Sequence, residues 1–366
     1  MDKMNEVILA TAGYDHKIHF WEPPSGECRS TLRFSDSQVN CLKITPDKQF
    51  LAAAGNPHVR LFEINSQNSS ALVSYDGHTT NVTDVGFQKD AKWMYTGSED
   101  GAIKIWDLRA PSCQGNYDVG SAVTTVALHP NQAELISGDV DGKVKVWDLT
   151  ANKSHEIKTT DGQSHAIQSL SMATNASVLV GANNKGTVFV FTPGGDTKSY
   201  VKVHEFKAHD TYLLKCVLSP NVEKLVTTSA DKTVKVWDTK TWTHQRTLAQ
   251  HQRWVWDAVF SADSYYIITA SSDQTAKLWD VSVHATRACL NFRSFLGLSA
   301  SGFRVLLCFF SCVLVQQQAF GVLLTTGPAL VLAYVSSSLG SFNGRGKRVP
   351  TLAFQAFGGV KGGGCK

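Results

Sequence analysis

No Asp or Glu occurs after Asp280, although eight of the 35 Lys and Arg residues do. The other 27 basic residues face all 31 acidic ones, so residues 1–282 carry a net charge of −4. A mildly acidic body argues against a nucleic-acid binder. Charged residues are only 18% of the chain, below the usual quarter, while 43% apolar content is that of a globular protein. Cys28, Cys41, Cys113 and Cys216 have neither CxxC nor zinc-ligand spacing. They read as buried free thiols in a reducing compartment. The first residues, MDKMNEVILATAG, start acidic and lack the apolar run of a signal peptide. Metal constellation, phosphate loop and nucleophile elbow are all absent from the pattern. Gly344-Arg345-Gly346-Lys347 lacks the strand, spacing and Ser/Thr of a P-loop, and Cys365-Lys366 is no prenylation box. No cofactor, no small-molecule substrate and no enzymatic activity are therefore expected.

What the sequence does contain is a repeat. Short β-rich runs end in an aromatic residue at Trp21, Phe62, Trp106, Trp147, Phe191, Trp237 and Trp279, at gaps of 41, 44, 41, 44, 46 and 42 residues. That is the period of the WD repeat, with four strands to a blade. The expected fold is all-β, a seven-bladed WD-repeat β-propeller over 1–282. Inner strands alternate over Val82–Phe87, Val123–Leu128, Leu213–Leu218 and Val255–Phe260; outer strands such as Cys28–Phe34 are polar.

A second regularity is sharper. Six residues before the aromatic stands Asp15, Asp100, Asp141, Asp231 or Asp273, and four before that Asp a hydroxyl: Thr11, Thr96, Ser137, Thr227 or Thr269. Three blades add a His ahead of the first strand, at His78, His209 and His251. Buried polar groups need partners, so each set (His78, Thr96, Asp100, Trp106; His209, Thr227, Asp231, Trp237; His251, Thr269, Asp273, Trp279) reads as a structural hydrogen-bonded chain. A catalytic His-Asp-Ser relay is set aside because such a site is not copied around a ring. The second and fifth blades depart, with Phe62 and Phe191 and no Asp at the turn.

The chain starts on a strand, Val7–Thr11, that reads as a second strand, so the first blade lacks its innermost one. In closed rings the C-terminus supplies it. Here the repeat fails after Asp280. Residues 283–366 form an apolar, basic tail, and the propeller is expected to lack its final closing strand. Three readings stay open for this tail: a translated intron or mis-assigned exon, since Val281-Ser282 is what a splice donor encodes in frame; a disordered or partner-bound segment; or a membrane contact through the apolar runs between 303 and 335. A transcript read across codon 280 separates the first from the others.

ILATAGYDH…FWE (Ile8–Glu22), DSQVN (Asp36–Asn40), AAAGNPHVRLF (Ala52–Phe62), KWMYTGSEDG (Lys92–Gly101), HPNQAELISGD (His129–Asp139) and RWVWD (Arg253–Asp257) resemble the G-protein-β-like subunit of target of rapamycin (TOR) kinase complexes. The resemblance covers about 1–280, and HPNQAELISGD is its most specific stretch. It implies a non-enzymatic subunit that binds and stabilises the kinase domain, alongside other TOR complex subunits, in growth control and actin organisation. It also implies a cytoplasmic place, peripheral on endomembranes through the complex. The positions three and five after the loop His fall on one rim of the ring. They are aromatic or apolar at Tyr212, Leu214, Trp254 and Trp256, beside Arg253, and small or polar elsewhere (Gln38, Asn40, Asn81, Thr83, Ala122, Thr124, Ala166, Gln168). Because Trp, Tyr and Arg dominate interface energetics, Tyr212, Leu214, Arg253, Trp254 and Trp256 are the candidate partner-binding residues. A competing reading rests on Trp106-Asp107-Leu108-Arg109, a WDxR ending similar to that of WD-repeat substrate receptors of cullin-type ubiquitin ligases.

Overall fold

The computed structural model describes residues 8–22, 25–35, 37–64, 66, 70–159, 165–194, 199–281, 290–293, 311–315, 321–325 and 330–334. Seven four-stranded antiparallel sheets form the blades of a β-propeller, the first strands of neighbouring blades lying side by side around the ring. Blade one contains Ile8–Ala12, Lys17–Glu22 and Glu27–Arg33; blade two Cys41–Ile44, Phe50–Ala54, Val59–Glu63 and Val73–Tyr75. Blade three runs through Val82–Phe87, Trp93–Ser98, Ala102–Asp107 and Cys113–Asp118; blade four through Val123–Leu128, Glu134–Asp139, Val144–Asp148 and Lys153–Ile157. Blade five has Ile167–Met172, Leu179–Asn183, Thr187–Pro193 and Tyr200–Lys207; blade six Leu213–Leu218, Lys224–Ser229, Val234–Asp238 and His244–Leu248. Blade seven has Val255–Phe260, Tyr266–Ser271, Thr275–Asp280 and Leu290–Arg293.

Burial explains the hydropathy of each strand. Second strands are covered on both faces, as in Glu134–Asp139, and read as continuous apolar or small runs. Outermost strands such as Lys153–Ile157 are exposed almost throughout and read as polar. The core is divided into seven apolar clusters, one at each blade junction. Each repeat aromatic packs against the preceding blade: Phe62 against blade one, Trp106 against blade two, Phe191 against blade four, and Trp21 against blade seven. A blade therefore cannot bury its own aromatic without its neighbour.

The sequence pattern ends the propeller at 282 without a last strand. In the structure two segments beyond that point join the ring. Leu290–Arg293 is the outermost strand of blade seven, and Ser311–Val315 pairs antiparallel with the first strand of the chain, in register Ile8↔Val315 to Ala12↔Ser311. An inner strand without a partner leaves a row of N–H and C=O groups unpaired, which an extended segment can fill whatever its repeat signature. Residues Gln318–Lys366 form a separate unit whose described part is the hairpin Gly321–Thr325 with Leu330–Tyr334. No described helix is long and apolar enough to cross a membrane.

The cysteines require a correction. Cys41 and Cys216 are buried, and burial pushes their thiols up, to about 12 and about 11. Cys28 and Cys113 are exposed, because both lie on outermost strands.

Within each complete blade, four side chains form one directed chain. Trp106 Nε1–H donates to Thr96 Oγ1 (2.9 Å), Thr96 Oγ1 lies 2.7 Å from His78 Nε2, and His78 Nδ1 lies 2.9 Å from Asp100 Oδ2. Blade six repeats this at 3.0, 2.9 and 2.7 Å, blade seven at 2.8 Å in all three links. Indole N–H can only donate and carboxylate can only accept, so the direction is set from both ends. The Thr hydroxyl must then donate to Nε2, which assigns the neutral imidazole protonated on Nδ1. Burial favours the same form, pushing the His78 pKa below its ordinary value. The other Asp oxygen caps the turn: Asp100 Oδ1 accepts Ala102 N–H (3.0 Å) and Asp231 Oδ1 accepts Thr233 N–H (2.8 Å). The residue after the Asp takes positive φ in every such turn (His16 58°, Gly101 82°, Gly142 83°, Lys232 72°, Gln274 65°), and the Asp caps make that conformation tolerable for non-glycine residues.

The other blades are tied by fewer links. In blade four Trp147 donates to Ser137 Oγ (2.8 Å), and among the described residues no His bonds Ser137. In blade one Trp21 donates to Thr11 (2.8 Å), and Asp15 is met by His19 from the third strand instead of by a loop His. Blade five uses Asn183, whose Oδ1 accepts Lys185 N–H (3.0 Å) and Thr187 N–H (2.9 Å).

Three outcomes are expected. Thr96→Val strands both an indole N–H and an imidazole nitrogen, so it should cost about 2–4 kcal/mol by chemical denaturation, against about 1–2 for Ser137→Ala, where only the indole loses its partner. The Asp231 carboxyl is opposed by burial, yet hydrogen bonds from His209 and Thr233 bring it down to about 2. An unfolded Asp titrates near ~3.9, so this stabilisation is whole above that pH and lost as pH falls towards 2. Asp231→Asn should therefore be less stable than the parent at pH 7, with the gap closing across that window in pH-dependent denaturation. Asp139, in blade four, stands where Ser98, Ser229 and Ser271 bond the loop behind them. It is buried, its Oδ2 has no partner, and burial pushes its pKa up. A raised carboxyl loses stability as pH rises through its folded pKa. Asp139→Ser should raise the thermal midpoint at pH 7, and less so near pH 4.

Candidate functional site

Two sets of inner-strand positions distinguish the blades, and a β-bulge separates them. In blades three to seven the ladder slips after the first residue of the innermost strand, between Val82/Asp84, Val123/Thr125, Ile167/Ser169, Leu213/Lys215 and Val255/Asp257. The skipped residues are Thr83, Thr124, Gln168, Leu214 and Trp256, all of them rim positions singled out from the sequence. The bulge frees each from the ladder and turns it towards the neighbouring blade or the rim.

At four polar rim positions, Gln38, Asn40, Thr83 and Thr124, the side chains are spent between blades. Thr83 Oγ1 donates to Gly97 O (3.0 Å) or Val123 O (2.8 Å) of the next blade, and Thr124 Oγ1 likewise reaches Gly138 O and Ile167 O. Gln38 Nε2 and Asn40 Nδ2 both reach Asn81 Oδ1, at 3.1 and 3.5 Å. Blades six and seven differ. Tyr212 is 51% exposed and Trp254 36%, their rings 6.4 Å apart at 32°. Trp254 and Trp256 follow at 5.4 Å and 50°. Half-buried Trp256 is anchored by Nε1–H to Ser272 Oγ at 2.5 Å. Arg253 is exposed beside them, while Leu214 is half-buried on the adjoining strand. Of the five candidate contact residues, Tyr212, Trp254 and Trp256 thus form one aromatic run across two blades.

Two further residues belong to this surface. Lys185 Nζ, from the turn of blade five, lies 6.0 Å from the centre of the Tyr212 ring, in cation–π range. Ser272 fixes the Trp256 indole. Neither stands at the spacing that marks the rim. Their role comes from the turn between second and third strands, which reaches the same rim: Ser272 N–H donates to Trp254 O (3.0 Å) and Ala230 N–H to Tyr212 O (2.9 Å).

Beyond the bulge the next residues are Asp84, Thr125, Ser169, Lys215 and Asp257, with Cys41 equivalent in blade two. Asp84 Oδ2 accepts Thr125 Oγ1–H (3.1 Å) and Val126 N–H (2.9 Å), which joins blades three and four. Burial works against the Lys215 ammonium, but the Asp257 and Asp84 carboxylates outweigh it and hold its proton above the usual range. The Arg109 of the WDxR ending folds back onto Asp107 of its own blade (Nη2–Oδ2 2.9 Å). Among the described residues no group of three His, Cys, Asp or Glu is placed to hold a metal ion.

The sequence matches the WD domain, G-beta repeat family over residues 26–63, 69–107, 112–148, 200–238 and 242–280. It is 52% identical over 240 residues to "Target of rapamycin complex subunit LST8-1" of Arabidopsis thaliana, covering 63% of this chain and 77% of that protein. It is 51% identical over 236 residues to "Protein LST8 homolog" of Dictyostelium discoideum (64% and 77%). Against "Target of rapamycin complex subunit LST8" of Saccharomyces cerevisiae it is 50% identical over 234 residues (63% and 77%). The chain belongs to the LST8 family of WD-repeat proteins. These alignments cover 234–240 residues, fewer than the stretch to Asp280 over which the repeat period holds.

Proposed function

We propose that this LST8-family chain is a non-catalytic scaffold subunit of a TOR kinase complex, and that the propeller body of 1–282 binds and stabilises the kinase domain through the rim of blades six and seven. The observation that carries the reading is the contrast around the ring. Gln38, Asn40, Thr83 and Thr124 are consumed by inter-blade hydrogen bonds, whereas Tyr212, Trp254 and Trp256 present aromatic surface with Arg253 and Lys185 beside them. Aromatic and Arg side chains at the centre of an interface are the ones whose truncation costs about 2 kcal/mol or more. The names of the relatives supply the partner class, a TOR complex. Cytoplasmic residence, with membrane contact through the complex, follows from the same reading.

The double substitution Trp254→Ala with Trp256→Ala is expected to leave a folded, soluble propeller. It should weaken co-purification of the TOR kinase by about tenfold or more, the equivalent of 1.4 kcal/mol. Undiminished recovery of the kinase with a soluble double variant overturns the assignment of this face.

A further inference from the structure

On the outside of blade one, a bulge brings a thiol to a histidine. The third and outermost strands pair as Lys17↔Arg33, Ile18↔Leu32, His19↔Thr31 and Phe20↔Ser30, after which Trp21 pairs with Cys28. Arg29 is the residue left over. Without it, strand alternation would place Cys28 with Ser30 and Leu32; the extra residue moves it to the face of Thr31 and Arg33. His19 is on that face. Its Nε2 lies 2.9 Å from Asp15 Oδ2, and a carboxylate only accepts, so the ring proton sits on Nε2. Nδ1 is therefore the bare nitrogen. It faces Thr31 Oγ1 at 3.0 Å and Cys28 Sγ at 3.9 Å. Asp15 and His19 are largely shielded (18% and 12% exposed side chains), while Cys28 is open to solvent.

The same fold position provides a matched comparison. Blade three has the same bulge, with Cys113 opposite Trp106. There the residue corresponding to His19 is Lys104, bonded to Asn116 (3.0 Å); the Cys113 thiol bonds Gly115 O at 3.2 Å, just as Cys28 bonds Ser30 O at 3.5 Å. Two exposed cysteines thus share one backbone geometry, and only Cys28 has an imidazole base backed by a carboxylate.

We propose that Cys28 is a site of reversible thiol–disulfide exchange, with His19 as its base, Asp15 as the residue positioning that base, and an anionic low-molecular-weight disulfide as co-reactant. Cys28 S–H gives its proton to His19 Nδ1, and the sulfur attacks one sulfur of the disulfide. A new S–S bond joins Cys28 to that half, and the other half leaves as a thiolate that takes the proton back from His19. Cys28 is oxidised to a mixed disulfide and one equivalent of small thiol is released. The preference for an anion comes from Lys17 and Arg33, which share the ladder face of His19 and Cys28 and line a neighbouring cleft with Asp15 and Thr31. Glu22 and Glu27 pair on the rung next to Trp21 and Cys28, where strand alternation puts them on the opposite face. Cys41 and Cys216 are buried with raised thiols and do not compete.

The test uses the full chain with oxidised glutathione, and peptide mapping by mass spectrometry to follow each cysteine separately. Cys28 is expected to be glutathionylated about a hundredfold faster than Cys113, the low end of what a positioned base supplies. His19→Gln should bring Cys28 down to the Cys113 rate while Cys41 and Cys216 stay unmodified, which reports an intact fold. Cystamine, a cationic disulfide, should react with Cys28 more slowly than oxidised glutathione. Equal rates at Cys28 and Cys113 in the parent, or an unchanged Cys28 rate in folded His19→Gln, overturn the site; a faster cystamine reaction overturns the anionic co-reactant.

Discussion

The directed chain from indole to carboxylate is the interaction on which this propeller depends. Trp can only donate and Asp can only accept, so Thr and His between them have no choice of orientation. One end of the chain lies in a junction core, against the preceding blade, as with Trp106 against blade two. The other end caps the turn that carries the rim. A single four-residue chain thus joins the strands of a blade, the loop that starts it and the neighbour behind it. Where a link is missing, other groups stand in: His19 meets Asp15 in blade one, and Asn183 caps the turn in blade five. Phe62 and Phe191 need no hydrogen-bond partner and are buried as completely as the tryptophans.

The inner-strand bulges divide the ring's chemistry. By taking one residue out of each ladder they free a side chain for the rim and set the next one for inter-blade contact. Thr at the freed position closes a hydrogen bond to the next blade, and the surface is used up. Trp cannot do so, which leaves an aromatic face on blades six and seven. The outer bulges of blades one and three act in the same way, and one of them carries Cys28 to His19. Repetition of the backbone, with substitution at the freed positions, is how one repeat yields several surfaces.

Closure of the ring follows a different logic from its interior. Within the blades, the aromatic, hydroxyl and Asp recur at set distances because side-chain contacts demand them. The slot beside Ile8–Ala12 demands only an extended backbone, since the ladder is made of main-chain groups. Ser311–Val315 occupies it although the repeat pattern has ended some thirty residues earlier.

The sequence by itself determined the fold class, the number of blades and the members of each hydrogen-bonded chain, because these follow from periodicity and from the fixed offsets at which buried polar groups must meet. The candidate rim residues were legible too, as offsets from the loop His. What only the tertiary structure decided are the contacts between elements with no fixed spacing in the chain. Lys185 reaches Tyr212 from another blade, Ser272 holds Trp256 across a turn, and Lys215 lies within the influence of Asp84 and Asp257 from two other blades. The meeting of Cys28 with His19 belongs here as well: a bulge changes the face of a strand residue without changing the residue, so no pattern of composition reveals it.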